Sequence, residues 1–223
     1  FITEMDPRYA SCILGELPTD DAVDILNTLD HTKVANLLTI MDQDAADDIK
    51  DLLHYEEKTA GSIMTTEFVA VQTSMTVKEA MNHLRKEAPE ADTIYYIYVI
   101  DEEKRLVGVI SLRDLIISEE TAFIKDVMSE RLIFVEASID QEEVARTMRD
   151  YDFLALPVVD SQQHLLGIIT VDDIMDVMEE EASEDYSRLA GVSETEKADM
   201  NALEAAKKRL PWLLILLFLG LFT

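Results

Sequence analysis

The chain has 223 residues, and its 46 Asp+Glu against 19 Lys+Arg leave a formal charge of −27. An acidic excess of that size excludes casual association with a nucleic-acid backbone, while a hydrophobic share of 48% excludes a charge-swollen disordered chain and supplies one or two real cores. One cysteine, Cys12, rules out an internal disulfide framework and fits a reducing compartment, and the four histidines at 31, 54, 83 and 164 have no zinc-site spacing. The acidic surface itself has two readings, solvation and cation binding.

Residues 5–53 repeat every twelve residues without gaps, as MDPRYASCILGE, LPTDDAVDILNT, LDHTKVANLLTI and MDQDAADDIKDL. The first position is Met5, Leu17, Leu29, Met41, the sixth Ala10, Ala22, Val34, Ala46, and the ninth Ile13, Ile25, Leu37, Ile49. This predicts one short helix per block, opened by capping residues such as Asp6, Thr19 and Asp30, with Ala22, Ile25 and Leu26 as the inner face of the second. No such unit buries its face alone, so the helices stack into a small superhelical domain. The pattern is already under way at Phe1, which predicts further repeats before it.

A longer repeat fills residues 61–181. GSIMTTEFVAVQTSMTVKEAMNHL (61–84) matches KDVMSERLIFVEASIDQEEVARTM (125–148), and YVIDEEKRLVGVISLRDLI (98–116) matches PVVDSQQHLLGIITVDDIM (157–175). The first copy carries five extra residues within APEADTIYYI. Each copy predicts a short strand (68–71, 133–135), an amphipathic helix (77–84, 142–148), a hairpin (95–100 with 106–110, 156–159 with 165–169) and a closing helix opening at Leu112 or Val171. The IMT and VMS starts and the hydrophobic-D-x-x-x-x-L-x-G-[IV]-I-[ST]-x-x-D strings, ending at Asp114 and Asp173, resemble the tandem cystathionine-β-synthase-type (CBS) regulatory pair. The resemblance implies a cleft that takes adenine nucleotides, with Ser111/Asp114 and Thr170/Asp173 in place. Ser111 and Thr170 also have a purely structural use as helix caps.

Residues 172–185 read DDIMDVMEEEASED, with eight acids and no base. On a helix, Asp172, Asp176, Glu180 and Glu184 fall in one i, i+4 row with Asp173 beside Asp176, and Ile174, Met175 and Met178 supply the buried side. Like charges at this spacing cost a few tenths of a kcal/mol per pair, so the helix is held by packing or expects counter-ions. Carboxylates with no soft ligands suit a hard cation, and a loose cluster without an EF-hand loop suits Mg²⁺ better than Ca²⁺. The acids at Asp20, Asp21 and Asp24 make a second such surface, and a cation joining the two would be a switch. Lys207, Lys208 and Arg209 then precede LPWLLILLFLGLF (210–222), read as the start of a transmembrane helix whose amino-terminal side is cytoplasmic.

This order of parts, with EKTAGSIMT (57–65), TIYYIYVID (93–101), ISLRDLI (110–116), RDYDFLALPVVD (149–160) and ITVDDIMDVMEEEASED (169–185), resembles the MgtE-type magnesium transport channels. The implied architecture is an α+β multi-domain chain. It has an all-α superhelical N domain (1–57), two CBS α/β domains (58–121 and 122–186), a long connecting "plug" helix (187–209, helical from about 194) and the first part of a membrane helix (210–223). The implied protein is a homodimer at the cytosolic face of the cell membrane, joined to its own transmembrane domain. Mg²⁺ between N domain, CBS pair and plug favours its closed state. By motif, the metal-sensing acids fall on Asp20 and Asp24, then Asp140, Asp152, Asp173 and Asp176, then Glu181, Glu184 and Asp185, with Asp21 and Glu180 as neighbours able to substitute. ATP as a regulatory ligand would recruit Tyr96, Arg113, Asp114 and Phe153. The chain departs from the pattern at Ile133, where a basic residue is expected and Arg131 lies two places away. No nucleophile–base pair, Walker loop or dinucleotide-binding glycine string suggests an enzyme. The alternative is an adenine-nucleotide-sensing CBS module of another membrane transport protein, its acids merely solvating.

Overall fold

Four helices open at one phase of the twelve-residue repeat: α1 (Pro7–Leu14), α2 (Thr19–Asn27), α3 (His31–Ile40) and α4 (Gln43–Leu52). These belong to a computed structural model that describes residues 2, 5–89 and 91–190, without the side chains of 185 and 187–190. The expected connecting helix at 194–209 and the apolar run at 210–223 lie outside the described residues. Among the described residues no helix is long and apolar enough to cross a membrane. α1 packs on α3 and α2 on α4, burying Ala10, Leu14, Ala22, Leu26, Ala46, Ile49 and Leu52.

Two expectations for these helices are corrected. The stripe that α2 buries is Thr19, Ala22, Val23 and Leu26, the i, i+3, i+4, i+7 face, so Val23 and not the half-buried Ile25 turns inward. Thr19 is not a cap but the first helical residue. Pro18 occupies the cap position and offers no side-chain hydrogen bond. Asp6 and Asp42 do cap α1 and α4, accepting from the N–H groups of Arg8 (3.0 Å) and Asp44 (3.1 Å), whereas Asp30 makes no side-chain cap bond to α3.

The duplicated region forms two three-stranded sheets of the same design. β1 (Ala70–Gln72) runs parallel to β2 (Tyr96–Ile100), which pairs antiparallel with β3 (Leu106–Ser111). Their helices are α5 (Val77–Glu87) and α6 (Leu112–Ile117). After α7 (Ile124–Val127), the second sheet repeats this with β4 (Val135–Glu136), β5 (Ala155–Val159) and β6 (Leu165–Thr170), and with α8 (Gln141–Tyr151) and α9 (Val171–Ala190). Both sheets carry an irregularity at the same place, Val99/Ile100 and Val158/Val159.

The two copies interlock through their lead-in segments. Thr65 exchanges backbone hydrogen bonds with Ile168 of the second sheet (2.8 and 2.9 Å), and Ser129 does the same with Val109 of the first (2.8 and 3.0 Å). Behind these, the Ala60 N–H donates to Ile139 (2.7 Å) and the Ile124 N–H to Met75 (2.9 Å). The glycine of each L-x-G string lies where the other copy's lead-in crosses it. A Cβ on Gly108 would collide with the Met128 sulfur, and one on Gly167 would stand 2.6 Å from the Thr65 carbonyl oxygen. The two most distinctive pieces of the repeat therefore touch each other across the copies.

The chain divides into two units, Phe1–Ile174 and Met175–Thr223. Within the first, one apolar cluster joins the helical domain (Leu14, Leu26, Leu52) to the second copy (Val144, Leu156, Ile169). A second cluster fills the first copy, and a third, with Tyr98 and Leu106 facing Ala155, Val159 and Ile168, lies between the two sheets. On α9 the buried residues are Ile174 and Val177, while Met175 and Met178 are 65% and 44% exposed. The expected methionine face is thus corrected, because Ile174 and Val177, three residues apart, already form the inward stripe.

Candidate functional site

The amino terminus of α2 meets the first CBS copy at Glu67. The Thr19 backbone N–H and hydroxyl both donate to Glu67 Oε1, at 3.2 and 3.0 Å, and the Thr19 and Thr66 hydroxyls are 3.1 Å apart. The Thr65 hydroxyl donates to Glu67 Oε2 at 3.4 Å. The Asp92 N–H donates to the Glu67 carbonyl at 2.9 Å, which ties the five-residue insertion of the first copy to the same point. A cavity of about 560 Å³ opens beside this contact, lined by Leu14, Leu17, Asp48, Ile49, Glu67 and Asp92 among others.

One residue beyond Thr19, Asp20 is half-buried, and its Oδ1 is shielded from solvent without a hydrogen-bond partner. Burial, followed by the charge of Asp173 and less strongly that of Asp21, pushes its carboxyl up to about 7, against backbone hydrogen bonds from the N–H groups of Asp21 and Asp20. Asp173 is raised by burial and by Asp172 and Asp21, although hydrogen bonds from Thr170 work the other way. Asp92 is raised by desolvation and then by Asp172, Asp173 and Asp21. Glu67 is raised by burial, against the pull of its hydrogen bonds from Thr19 and Thr65. The charged neighbours acting on Asp20, Asp92 and Asp173 are all carboxylates, Asp21 of α2 and Asp172 and Asp173 in the first turn of α9.

The sequence singled out Asp20, Asp21 and Asp173 of this group and missed Glu67 and Asp92. The insertion APEADTIYYI was the available signal for Asp92; nothing local marked Glu67. Asp24 lies one helical turn after Asp20, exposed on α2. Asp140 and Asp152 cap opposite ends of the eleven-residue helix α8, about 18 Å apart along its axis. Asp140 is its cap, accepting from the Glu142 N–H at 2.8 Å, and Asp152 follows it in the left-handed conformation with φ 54°. Asp176, Glu180, Glu181 and Glu184 follow along α9, the first two exposed and the last two half-buried, while the side chain of Asp185 lies outside the described residues. Among the described residues no three carboxylate, histidine or cysteine side chains converge tightly enough to enclose a metal. The orphaned Asp20 oxygen beside Asp173 fits a cation that takes one or two carboxylates and keeps several waters, the habit of Mg²⁺.

The expected nucleotide residues gather in part. Tyr96 opens β2 directly opposite Ser111, so Tyr96, Arg113 and Asp114 share one end of the first sheet. Ser111 caps α6, accepting from the Asp114 N–H at 3.0 Å, and its hydroxyl donates to the Asp114 carboxylate at 2.7 Å. Phe153 belongs to the second copy, stacked on Tyr151 at 5.5 Å and packed against the cluster shared with the helical domain. In the second copy the Thr170 hydroxyl donates to the Asp173 carboxylate as Ser111 does to Asp114, and there the Thr170 backbone N–H donates to the same carboxylate at 3.2 Å. Where the first copy has Arg113 the second has Asp172, so equivalent positions carry opposite charge.

The family model described as the MgtE intracellular N domain matches residues 1–58, and the CBS domain model matches 60–119 and 124–180. A magnesium transporter MgtE from Enterococcus faecalis is 58% identical over 178 residues, which cover 80% of this chain and 39% of that protein. The chain belongs to the MgtE magnesium transporter family. A crystal structure of the soluble part of a magnesium transporter matches with a TM-score of 0.79 at 54% identity, covering 81% of this chain and 71% of that one. The cytosolic domain of the Mg²⁺ channel MgtE, crystallised in complex with ATP, matches with a TM-score of 0.62 at 38% identity, covering 79% and 82%. The present chain spans 39 to 49% of the length of the first three MgtE relatives it matches.

Proposed function

We propose that this chain is the Mg²⁺-sensing and gating region of a membrane magnesium transporter or channel, acting on the cytosolic face. The observation that carries the reading is the Asp20 carboxylate, half-buried beside Asp173 with an oxygen that no donor satisfies. Two ionised carboxylates held there repel each other and are short of solvent, and a divalent ion that keeps part of its water relieves both costs. Asp173 sits in the first turn of α9, which continues to Ala190 with Asp176, Glu180, Glu181 and Glu184. Ion occupancy at its start therefore bears on the helix leading toward the segment read as the plug. Asp24, Asp140, Asp152 and Asp185 enter the proposal as further acids of the sensor. Closure that depends on several weak sites is cooperative and of low affinity.

The same chain takes ATP at the end of the first sheet, where Tyr96, Arg113 and Asp114 meet; support comes from the ATP complex of the MgtE relative and from the exposed guanidinium of Arg113. It works as a homodimer and as a regulatory region, not an enzyme. Exposed apolar residues recur at equivalent positions of the two copies, Tyr95 and Leu154, Ile116 and Met175 (44–65% exposed), a repetition that suits a symmetric partner. Titrating Mg²⁺ against choline at constant ionic strength tests the sensor. Melting temperature and protease resistance rise far more with Mg²⁺; an equal rise with choline refutes the reading.

A further inference from the structure

We propose that Glu67 is a positioning residue of the sensor: its carboxylate caps α2 from the neighbouring CBS copy and so sets Asp20 against Asp173. α1 and α4 carry their own aspartate caps, but at α2 the cap position is Pro18, which has no acceptor to offer. The first-turn donor is satisfied by Glu67 instead, 48 residues away in sequence, through both the backbone N–H and the hydroxyl of Thr19. Two donors of one residue on one carboxylate oxygen fix the position of that residue and, one step along the helix, of Asp20. The Thr66 hydroxyl holds Thr19 from a further side, and Thr65 braces the second Glu67 oxygen. The Glu67 backbone carbonyl separately accepts from the Asp92 N–H, so the residue that caps α2 also anchors the insertion that carries Asp92. The hydrogen bonds need no cation. They preset a geometry on which a divalent ion acts, and only that last consequence rests on the sensor reading.

Hydrogen–deuterium exchange on the 223-residue chain, in EDTA and across a Mg²⁺ series, tests the proposal with Glu67→Ala, Glu67→Gln, Thr19→Val and the Thr19→Val/Glu67→Gln double variant. Losing a hydrogen bond to a charged group predicts exchange about tenfold faster in the first turn of α2 for Glu67→Ala in EDTA. The Mg²⁺ midpoint for protecting that turn moves up, and peptides from β2 and β3 stay as protected as in the wild type. Glu67→Gln, which keeps an acceptor without the charge, falls between, and its effect is not additive with that of Thr19→Val. An unchanged α2 first turn in Glu67→Ala, or additive effects in the double variant, overturns the proposal. Should Glu67→Ala loosen the sheets as well, Glu67→Gln decides: faster α2 exchange supports the cap and unchanged exchange overturns it. A wild type that Mg²⁺ does not protect refutes the sensor, while the comparison in EDTA still decides on Glu67.

Discussion

Asp173, 153 residues away in sequence, acts on the Asp20 carboxyl more strongly than does the adjacent Asp21, and only burial outweighs it. With the folded value near 7 against an ordinary 3.8, the folded state retains a proton that the unfolded chain has already lost. The contribution of Asp20 to stability is thus fully present below about 4, and it is lost as the pH rises through 7. In EDTA stability is expected to fall by roughly 1–2 kcal/mol between pH 5.5 and 8.5 once solvent screening is allowed for, which lowers the melting temperature by a few degrees for a domain of this size. Asp20→Asn is expected to flatten that slope, raise the metal-free melting temperature at pH 8 and weaken the Mg²⁺ response. Thermal melts across the pH series check all three.

Gly167 and Gly108 occupy equivalent places but should differ in tolerance. A methyl group at Gly167 meets the Thr65 backbone carbonyl, which cannot withdraw without breaking the hydrogen bonds to Ile168. At Gly108 the nearest obstacle is the flexible Met128 side chain. Gly167→Ala is expected to cost about 2–3 kcal/mol and Gly108→Ala about 1 kcal/mol, read as shifts in the urea midpoint.

Arg113 is exposed, so removing it should leave folding intact. Arg113→Ala is expected to lower ATP affinity at least tenfold by calorimetry, with melting unchanged. Arg113→Asp, which copies the residue at the equivalent position of the second copy, is expected to remove ATP binding altogether.

Ile117 is 71% exposed on α6 and Ile116 61%. The double variant Ile116→Lys/Ile117→Lys is expected to shift sedimentation from dimer to monomer, with little change in the unfolding of either sheet.

The repeats made most of the architecture legible. A gapless period of twelve marked four helices, one per block, and two offsets between copies marked the hairpins and the opening residues of α6 and α9, whereas the lead strands lie later than the expected 68–71 and 133–135, at Ala70–Gln72 and Val135–Glu136. Local pattern failed where the deciding partner is distant. Thr19 looks like a cap in its own block, and only the position of Glu67 shows that the cap is supplied from elsewhere. Met175 and Met178 look like core residues, but Ile174 and Val177 already take the inward stripe of α9. Asp20 and Asp173 were readable as acids of interest, whereas the unmet oxygen of Asp20 depends on burial that no periodicity reports.

The two lead-in crossings differ greatly in reach. Ser129 bridges back to Val109 over 20 residues, whereas Thr65 waits for Ile168 across 103. Loop closure makes the second about 1.5 kcal/mol costlier in chain entropy. The first sheet can therefore acquire its crossing strand once the chain has grown a little past Ser129, while Thr65 stays unpaired until the last hairpin is complete. Pulse-labelled exchange during refolding should record the Val109–Ser129 amides gaining protection before those of Thr65 and Ile168, so that the first half of the duplication serves as the template on which the second closes.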